Sequence, residues 1–354
     1  PPLLCHDCIT FWLFQFLSIY TYVGNAGMRK ELRQMHVAVT DEETASPEYE
    51  SAYADYKKTY GGMYDTLDMR KILEQKEKKS GYAPQGAWGM WIVRNYDRLQ
   101  KRGEQIRKTG EGTYAFYPGS WYKLHSALYG KLWKKLILQT AVLMILSMLY
   151  LMDYERIYKT QDLVLATTTG KKMMEKKMLA GTLCGLFYAG LLTVFTLLVF
   201  FAAVPLQNLW HVPVAACMVA EPRLQMMYPF VTFWRLEQWR YLLLALVVLV
   251  GLLGIVAAVT AAVQLFLQNS YFSFAVLGLL FMGAYLLGYV QMGNVWDLIR
   301  EFFNPTVLYA TSGGWFMEND LCLSFAGNEF AVLFCSGTAA GCVMALGARW
   351  IDRL

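Results

Sequence analysis

Residues 241–291 read YLLLALVVLVGLLGIVAAVTAAVQLFLQNSYFSFAVLGLLFMGAYLLGYVQ, and no Asp, Glu, Lys or Arg interrupts them. A helix needs about 20 apolar residues to cross the hydrocarbon core of a bilayer. Two such lengths lie here, Tyr241–Leu267 and Ser270–Gln291, with Gln268 and Asn269 between them. Lipid offers the backbone no hydrogen-bond partner, so a chain in it pairs its own amides and carbonyls, which makes both blocks helices. The two-residue link makes them a tight antiparallel hairpin.

Working outward, four further blocks have this character: Ile9–Gly24, Leu132–Met152, Met178–Val204 (followed by Pro205) and Glu329–Trp350. The composition agrees. The chain is 56% hydrophobic and 17% charged, against about 25% charged in a soluble domain. The expected fold class is therefore an all-α membrane protein of six transmembrane helices. Residues 1–24 form the first, and the other five lie in 132–354, with outer loops at 205–240 and 292–328. The first block has no basic leader or small-residue cleavage site and reads as a membrane helix rather than a signal peptide. Cys5 and Cys8 bracket His6 and Asp7 in a C-x-x-C. Without a second pair they read as free thiols beside a helix start rather than a metal or redox site.

Lys and Arg in short loops set orientation. Arg156, Lys159, Lys171, Lys172, Lys176 and Lys177 lie between the second and third blocks, and Arg349 and Arg353 follow the sixth. The loop after the fifth carries Arg300 alone. This places residues 153–177 and both termini in the cytoplasm. Lys131, Lys134 and Lys135 sit at the outer end of the second block and oppose this, but they close a long segment, and long segments cross largely regardless of charge. The net charge of +5 is thus an orientation signal, and no nucleic-acid partner is expected.

Residues 25–131 read as a helical extracytoplasmic domain. Tyr49, Tyr53, Tyr56, Tyr60, Tyr64 and Leu67 recur every three or four positions, one face of a helix. Ser46-Pro47 supplies its start, and Gly61-Gly62 a kink. Trp88, Trp91, Val93, Tyr96, Leu99 and Ile106 mark a second helix, with a turn at Gly81–Gly86. The aromatic faces are expected to pack together as core. Between the fifth and sixth blocks, Val295, Trp296, Leu298, Ile299, Phe302 and Phe303 have the spacing of an interfacial or re-entrant helix. On the fourth block Gly254, Ala258 and Ala262 recur every four residues, the small-residue pattern of close helix contact. It reads as packing within the subunit, with contact between two subunits as the alternative.

No catalytic motif is present: H-E-x-x-H and G-x-S-x-G are both missing, and the four histidines are scattered. Gly170-Lys171 looks like the tail of a P-loop, but Leu165 stands where the first glycine belongs and Lys172 where Ser or Thr belongs. An ATPase motif is therefore not expected in this chain.

The most informative loop is DYERIYKTQDLVLATTTGKKMMEKK, residues 153–177. Tyr154, Ile157, Tyr158, Leu163 and Leu165 are apolar or aromatic anchors among charges, as in a segment that docks in a partner's groove. Glu155, Leu163, Leu165, Thr167, Gly170, Lys171 and Lys176 or Lys177 resemble the loop joining the second and third helices of type-2 permeases of ATP-binding-cassette exporters. Lys159-Thr160 stands where the family often has Gly-Thr, and Thr169 where it has Pro. Six spans, the short fourth-to-fifth turn and Asn304-Pro305 before the last helix also resemble this family, and the large insert is similar to that of its Gram-positive members. The resemblance implies a bacterial plasma-membrane export subunit, coupled through Glu155, Arg156, Tyr158, Leu163, Leu165, Gly170 and Lys171 to a separate ATPase subunit that holds ATP and Mg. It also implies a second permease subunit, identical or different, in membrane lipid. Two other classes stand beside it. One is a membrane receptor or scaffold whose outer helical domain binds a ligand or protein. The other is a membrane enzyme, which would need a catalytic set that the sequence does not display.

Overall fold

The structure, a computed structural model, describes residues 62–80, 85–113, 125–158, 170–203, 210–218, 231–290, 295–318 and 324–351, with Ser51, Ala54, Asp55 and Lys58. The block Ile9–Gly24, Cys5, Cys8 and the stripe residues Tyr49, Tyr53, Tyr56 and Tyr60 lie outside the described residues. Among those described the chain is helical, with no strand. Two isolated antiparallel bridges join Pro213 to Glu237 and Thr232 to Met317.

In the described part of the insert lie α1 (Met69–Ser80) and α2 (Gly86–Thr109). A π-helical turn at Ser126–Leu132 runs into α3 (Trp133–Met152), followed by the short α4 (Tyr154–Ile157) and the long α5 (Gly170–Ala203). Then come α6 (Val214–Met218), α7 (Gln238–Leu267), α8 (Ser270–Leu287), α9 (Val295–Phe303), α10 (Thr306–Ala310) and α11 (Asn328–Ile351). Among the described residues, five segments are long and apolar enough to cross a membrane: Ala127–Met152, Lys176–Ala202, Gln238–Leu267, Ser270–Leu287 and Asn328–Gly347.

The bundle core lies where α3, α5, α7 and α11 meet. Lipid tails are as apolar as leucine, so burial alone does not drive helices together there, and close approach of small residues does. Along α5, a Cβ on Gly181 would stand 3.3 Å from the Met148 Cα, and one on Gly185 3.3 Å from the Met144 Cα. These glycines let α3 and α5 lie backbone against backbone as a stiff pair. On α7, Gly251 faces α11, where a Cβ would stand 2.8 Å from the Leu333 Cδ1. Of the small-residue stripe, Gly254 is exposed, Ala258 half-buried and Ala262 buried. Two buried threonines in the bundle bond to their own helix: Thr140 donates to the Leu136 carbonyl and Thr260 to that of Val256, each at 2.7 Å.

The bundle has two distinct ends. At one, which we call the loop end, lie Met152, α4, the start of α5 and the α7–α8 link. At the other, the insert end, His125, Tyr129, Tyr241 and Phe316 form an aromatic group. Buried His125 donates a hydrogen bond from Nε2 to the Gly313 carbonyl, 3.1 Å away. Burial pushes its pKa down to about 4, so the ring is neutral near pH 7.

The insert differs from expectation at its first helix. The helical positions near 51–58 give way to a turn at Gly62–Asp65, and a helix absent from the sequence reading, α1, packs on α2. Its sequence MRKILEQKEKKS holds only Met69, Ile72 and Leu73 as apolar contacts, too few to make a periodic stripe. Gln100 ties the two together, accepting from the Met69 amide at 3.0 Å and donating to the Leu67 carbonyl at 3.1 Å. Helix α2 matches the expected second helix and stops at Gly110, whose φ of 67° is the left-handed conformation that favours glycine.

Candidate functional site

The sequence points to the loop between α3 and α5 as the functional segment, and the structure describes its base. Helix α3 ends where Asp153 leaves the helical conformation, and α4 carries the chain out for one turn. Lys177, two turns into α5, pairs with Glu155 on α4, both carboxylate and ammonium being largely shielded from solvent. This ion pair draws the two roots of the loop together. Tyr150, Tyr154 and Tyr158 pack edge-on and tilted in a row, with ring centroids 6.1 and 4.6 Å apart. Tyr154, Arg156 and Tyr158 are exposed.

A second connection joins the same surface. Asn269 caps α8, its side-chain oxygen accepting from the Tyr271 and Phe272 amides at 3.1 and 3.2 Å. The next residue, Ser270, donates to the Asp153 carboxylate at 2.8 Å. The α7–α8 link is thereby fastened to the end of α3. Gln268 makes the tight turn possible with a φ of 49°, a left-handed conformation that costs a residue with a Cβ roughly 1–2 kcal/mol. Beside it Tyr271 stands almost wholly exposed. The outcome is one face carrying exposed Tyr154, Arg156, Tyr158 and Tyr271 over a base held by Glu155–Lys177 and Asp153–Ser270.

Of the residues singled out from the sequence, Glu155, Arg156 and Tyr158 meet on this face. Gly170 and Lys171 open α5. Leu163 and Leu165 lie outside the described residues. Asp153 and Ser270 were missed, although Asn269 in front of an apolar run is a legible helix-start signal. The side chain that a capped helix presents to a distant loop is not legible.

At the insert end the site-forming contacts are charged and buried. Lys76 of α1 pairs with Glu318, which precedes α11, and both are buried. Tyr96 of α2 lies fully buried beside them, and burial raises its phenol above the usual range. Asp297 and Arg300 pair at 3.3 Å on α9. Glu301, facing Lys76, Arg300 and Asp297, is pushed up to about 7, chiefly by burial. Arg102 grips Glu111 at 2.5 and 3.3 Å, with Arg235 at 3.4 Å. The apolar part of the junction joins Trp88 and Trp91 of α2 to Phe302 and Phe325. Ala215, Val231 and Phe325 complete the insert core, so the insert packs as one body with the segments that lead into α7 and α11. Phe316 lies on that route with a φ of 60°, held by its amide donating to Glu329 at 2.6 Å and its carbonyl accepting from Phe233 at 3.1 Å.

Among the described residues no group of His, Cys, Asp and Glu is placed to hold a metal ion. The chain matches no protein-family model, no curated protein and no solved structure. Among the described residues, fold and site together define a helical protein with five membrane-length apolar helices, an exposed aromatic face at the loop end and a closely packed insert at the other.

Proposed function

We propose that the protein is the membrane-spanning subunit of an ATP-driven exporter in a bacterial plasma membrane. In this reading Ile9–Gly24 is a sixth span, the insert is extracytoplasmic, and the loop end faces the cytoplasm. The observation that carries it is the construction of the loop end. The Glu155–Lys177 pair closes the loop, Ser270 fastens the neighbouring hairpin to Asp153, and aromatic and basic side chains project from the face so formed. A separate ATPase subunit, which binds the ATP and Mg, seats against this face. A second permease subunit, identical or different, completes the pathway.

The mechanism follows from rigidity. A push delivered to the loop reaches α3 and α5 together, because Gly181 and Gly185 leave no slack between them. It reaches α8 through Asp153 and Ser270. A partner whose contacts differ between its nucleotide states can then shift the whole group between two arrangements. At the insert end, motion of α11 passes to the insert through Glu318 and Lys76.

The test is recovery of a nucleotide-hydrolysing subunit with the protein from native membranes. Glu155→Lys, and Leu163→Asp with Leu165→Asp, are expected to abolish transport-linked ATP hydrolysis while membrane insertion stays intact. Unchanged transport in both variants, or labelling that puts residues 153–177 outside the cell, would refute the proposal.

A receptor or scaffold reading draws on the buried Lys76–Glu318 joint, which ties the insert to the segment before α11. There the insert binds a ligand and the loop end contacts a signalling partner. Recovery of a sensor kinase with no ATPase would favour it.

A further inference from the structure

A cavity of about 440 Å³ opens sideways between α3, α7 and α8, and α10 closes it toward the insert end. Its size lies within the ordinary range of ligand sites, about 300–1,000 Å³. Its walls are hydrocarbon, with Ala141, Ile145, Leu253, Gly278 and Met282 among them. The polar side chains on its lining, Tyr285, Thr306 and Tyr309, all stand at the insert end. The Thr306 hydroxyl donates to Asn304 at 2.7 Å, and the Tyr285 hydroxyl shares a hydrogen bond of 2.7 Å with Tyr289.

Water gains nothing in such a space, because a buried water needs two to four polar partners. The dimensions point to a different occupant. From Phe274 to Tyr285 along α8 the rise is about 16 Å at 1.5 Å per residue. That is about half of the ~30 Å hydrocarbon thickness, the depth of one leaflet. Tyrosine hydroxyls at the upper rim suit the level of lipid headgroups. We propose that this cavity is a lipid site. It holds one acyl chain of a membrane glycerophospholipid, with the ester region beside the Tyr285 and Tyr309 hydroxyls.

The site accounts for the sparse packing of α8, whose buried side chains are Ser273 and Leu277. The chain fills the contact that α8 lacks and sets its distance from α3. Gly278 is the natural entry for a test, since a Cβ there meets no atom within 4 Å. A bulky side chain at this position occupies the cavity rather than colliding with its wall.

The experiment uses the full chain in phosphatidylcholine vesicles containing a phosphatidylcholine with a mid-chain diazirine, with adducts mapped by mass spectrometry after illumination. Adducts are expected at Ala141–Ile145 and Gly278–Met282, at least five-fold above those on the exposed α5 residues Leu183 and Phe187. Gly278→Phe should remove that excess while thermal unfolding and α5 labelling stay unchanged. If Gly278→Phe does not fold, Ala141→Leu fills the cavity from the opposite wall and must do the same. Equal labelling of cavity and α5, or an excess that persists in a folded filled variant, overturns the proposal. So does a Met282→Cys variant that cross-links to a second copy in place of lipid adducts. None of these readouts depends on an ATPase partner, so the exporter reading stands or falls separately.

Discussion

Glu155 and Lys177 show at the residue scale how two positions 22 apart in sequence are made into one structural feature. A largely shielded charged hydrogen bond contributes about 1.5–3 kcal/mol. Glu155→Lys or Lys177→Glu alone should lower the thermal unfolding temperature and speed protease cleavage between 158 and 170. The double exchange should recover most of both losses. A double variant no better than the singles would mean that the pair is not coupled. Gln268 offers a change in the other direction. Replacing it with glycine removes the left-handed penalty at φ 49° and adds some unfolded-chain entropy, so Gln268→Gly should be neutral or stabilising by up to about 1 kcal/mol. A clear fall in unfolding temperature would show that the Gln268 side chain has a role of its own.

At the scale of the element, α9 is the instructive case. Its spacing announces an amphipathic helix, but it is mounted inside out. Trp296, Ile299 and Phe303 are exposed, while Asp297 and Glu301 are buried. A soluble surface would reject that arrangement. A helix lying in the interface of a bilayer, with its apolar face in lipid and its polar face under the insert, favours it. Trp296→Asp combined with Phe303→Asp should leave the Lys76–Glu318 joint formed but make α9 accessible to water-soluble probes attached through a nearby cysteine. Unchanged accessibility would remove the interfacial placement. The sequence displayed both faces of α9 and was silent on which one meets protein. Periodicity reports that two faces exist, and the neighbours decide their use. Helix α1 was illegible for the opposite reason. Its three apolar contacts fall within little more than one turn, and α2 supplies the rest of the packing.

On the scale of the whole molecule, the two ends of the bundle carry different chemistry. The insert end depends on pH through Glu301. Its folded pKa of about 7 stands above the ordinary carboxylate value, so the folded junction binds a proton more tightly than the unfolded chain does. Its stability is greatest below the unfolded pKa and falls as pH rises toward and through 7, by no more than about 3 kcal/mol. Lys76, Arg300 and Asp297 face the carboxyl and tune the midpoint. His125 contributes with the other sign, since its folded pKa near 4 lies below the unfolded value and its share is lost as pH falls below about 6.5. Hydrogen exchange in α1, corrected for its intrinsic pH dependence, should therefore quicken between pH 6 and pH 8. Glu301→Gln should flatten that response. An unflattened response would assign it to another group.

Sequence alone determined the character of the protein: long uncharged blocks, a two-residue hairpin link, a basic loop and an amphipathic segment. All of these are local, because the number of consecutive apolar residues and their period depend on the chain and its solvent. Tertiary structure decided which distant residues meet. It set Ser270 against Asp153 and Lys76 against Glu318, and it opened a cavity between α3, α7 and α8. Such pairings depend on the crossing of helices far apart in sequence. Glycine positions such as Gly181 and Gly185 permit the close approach, and only the packed bundle shows which neighbour takes it.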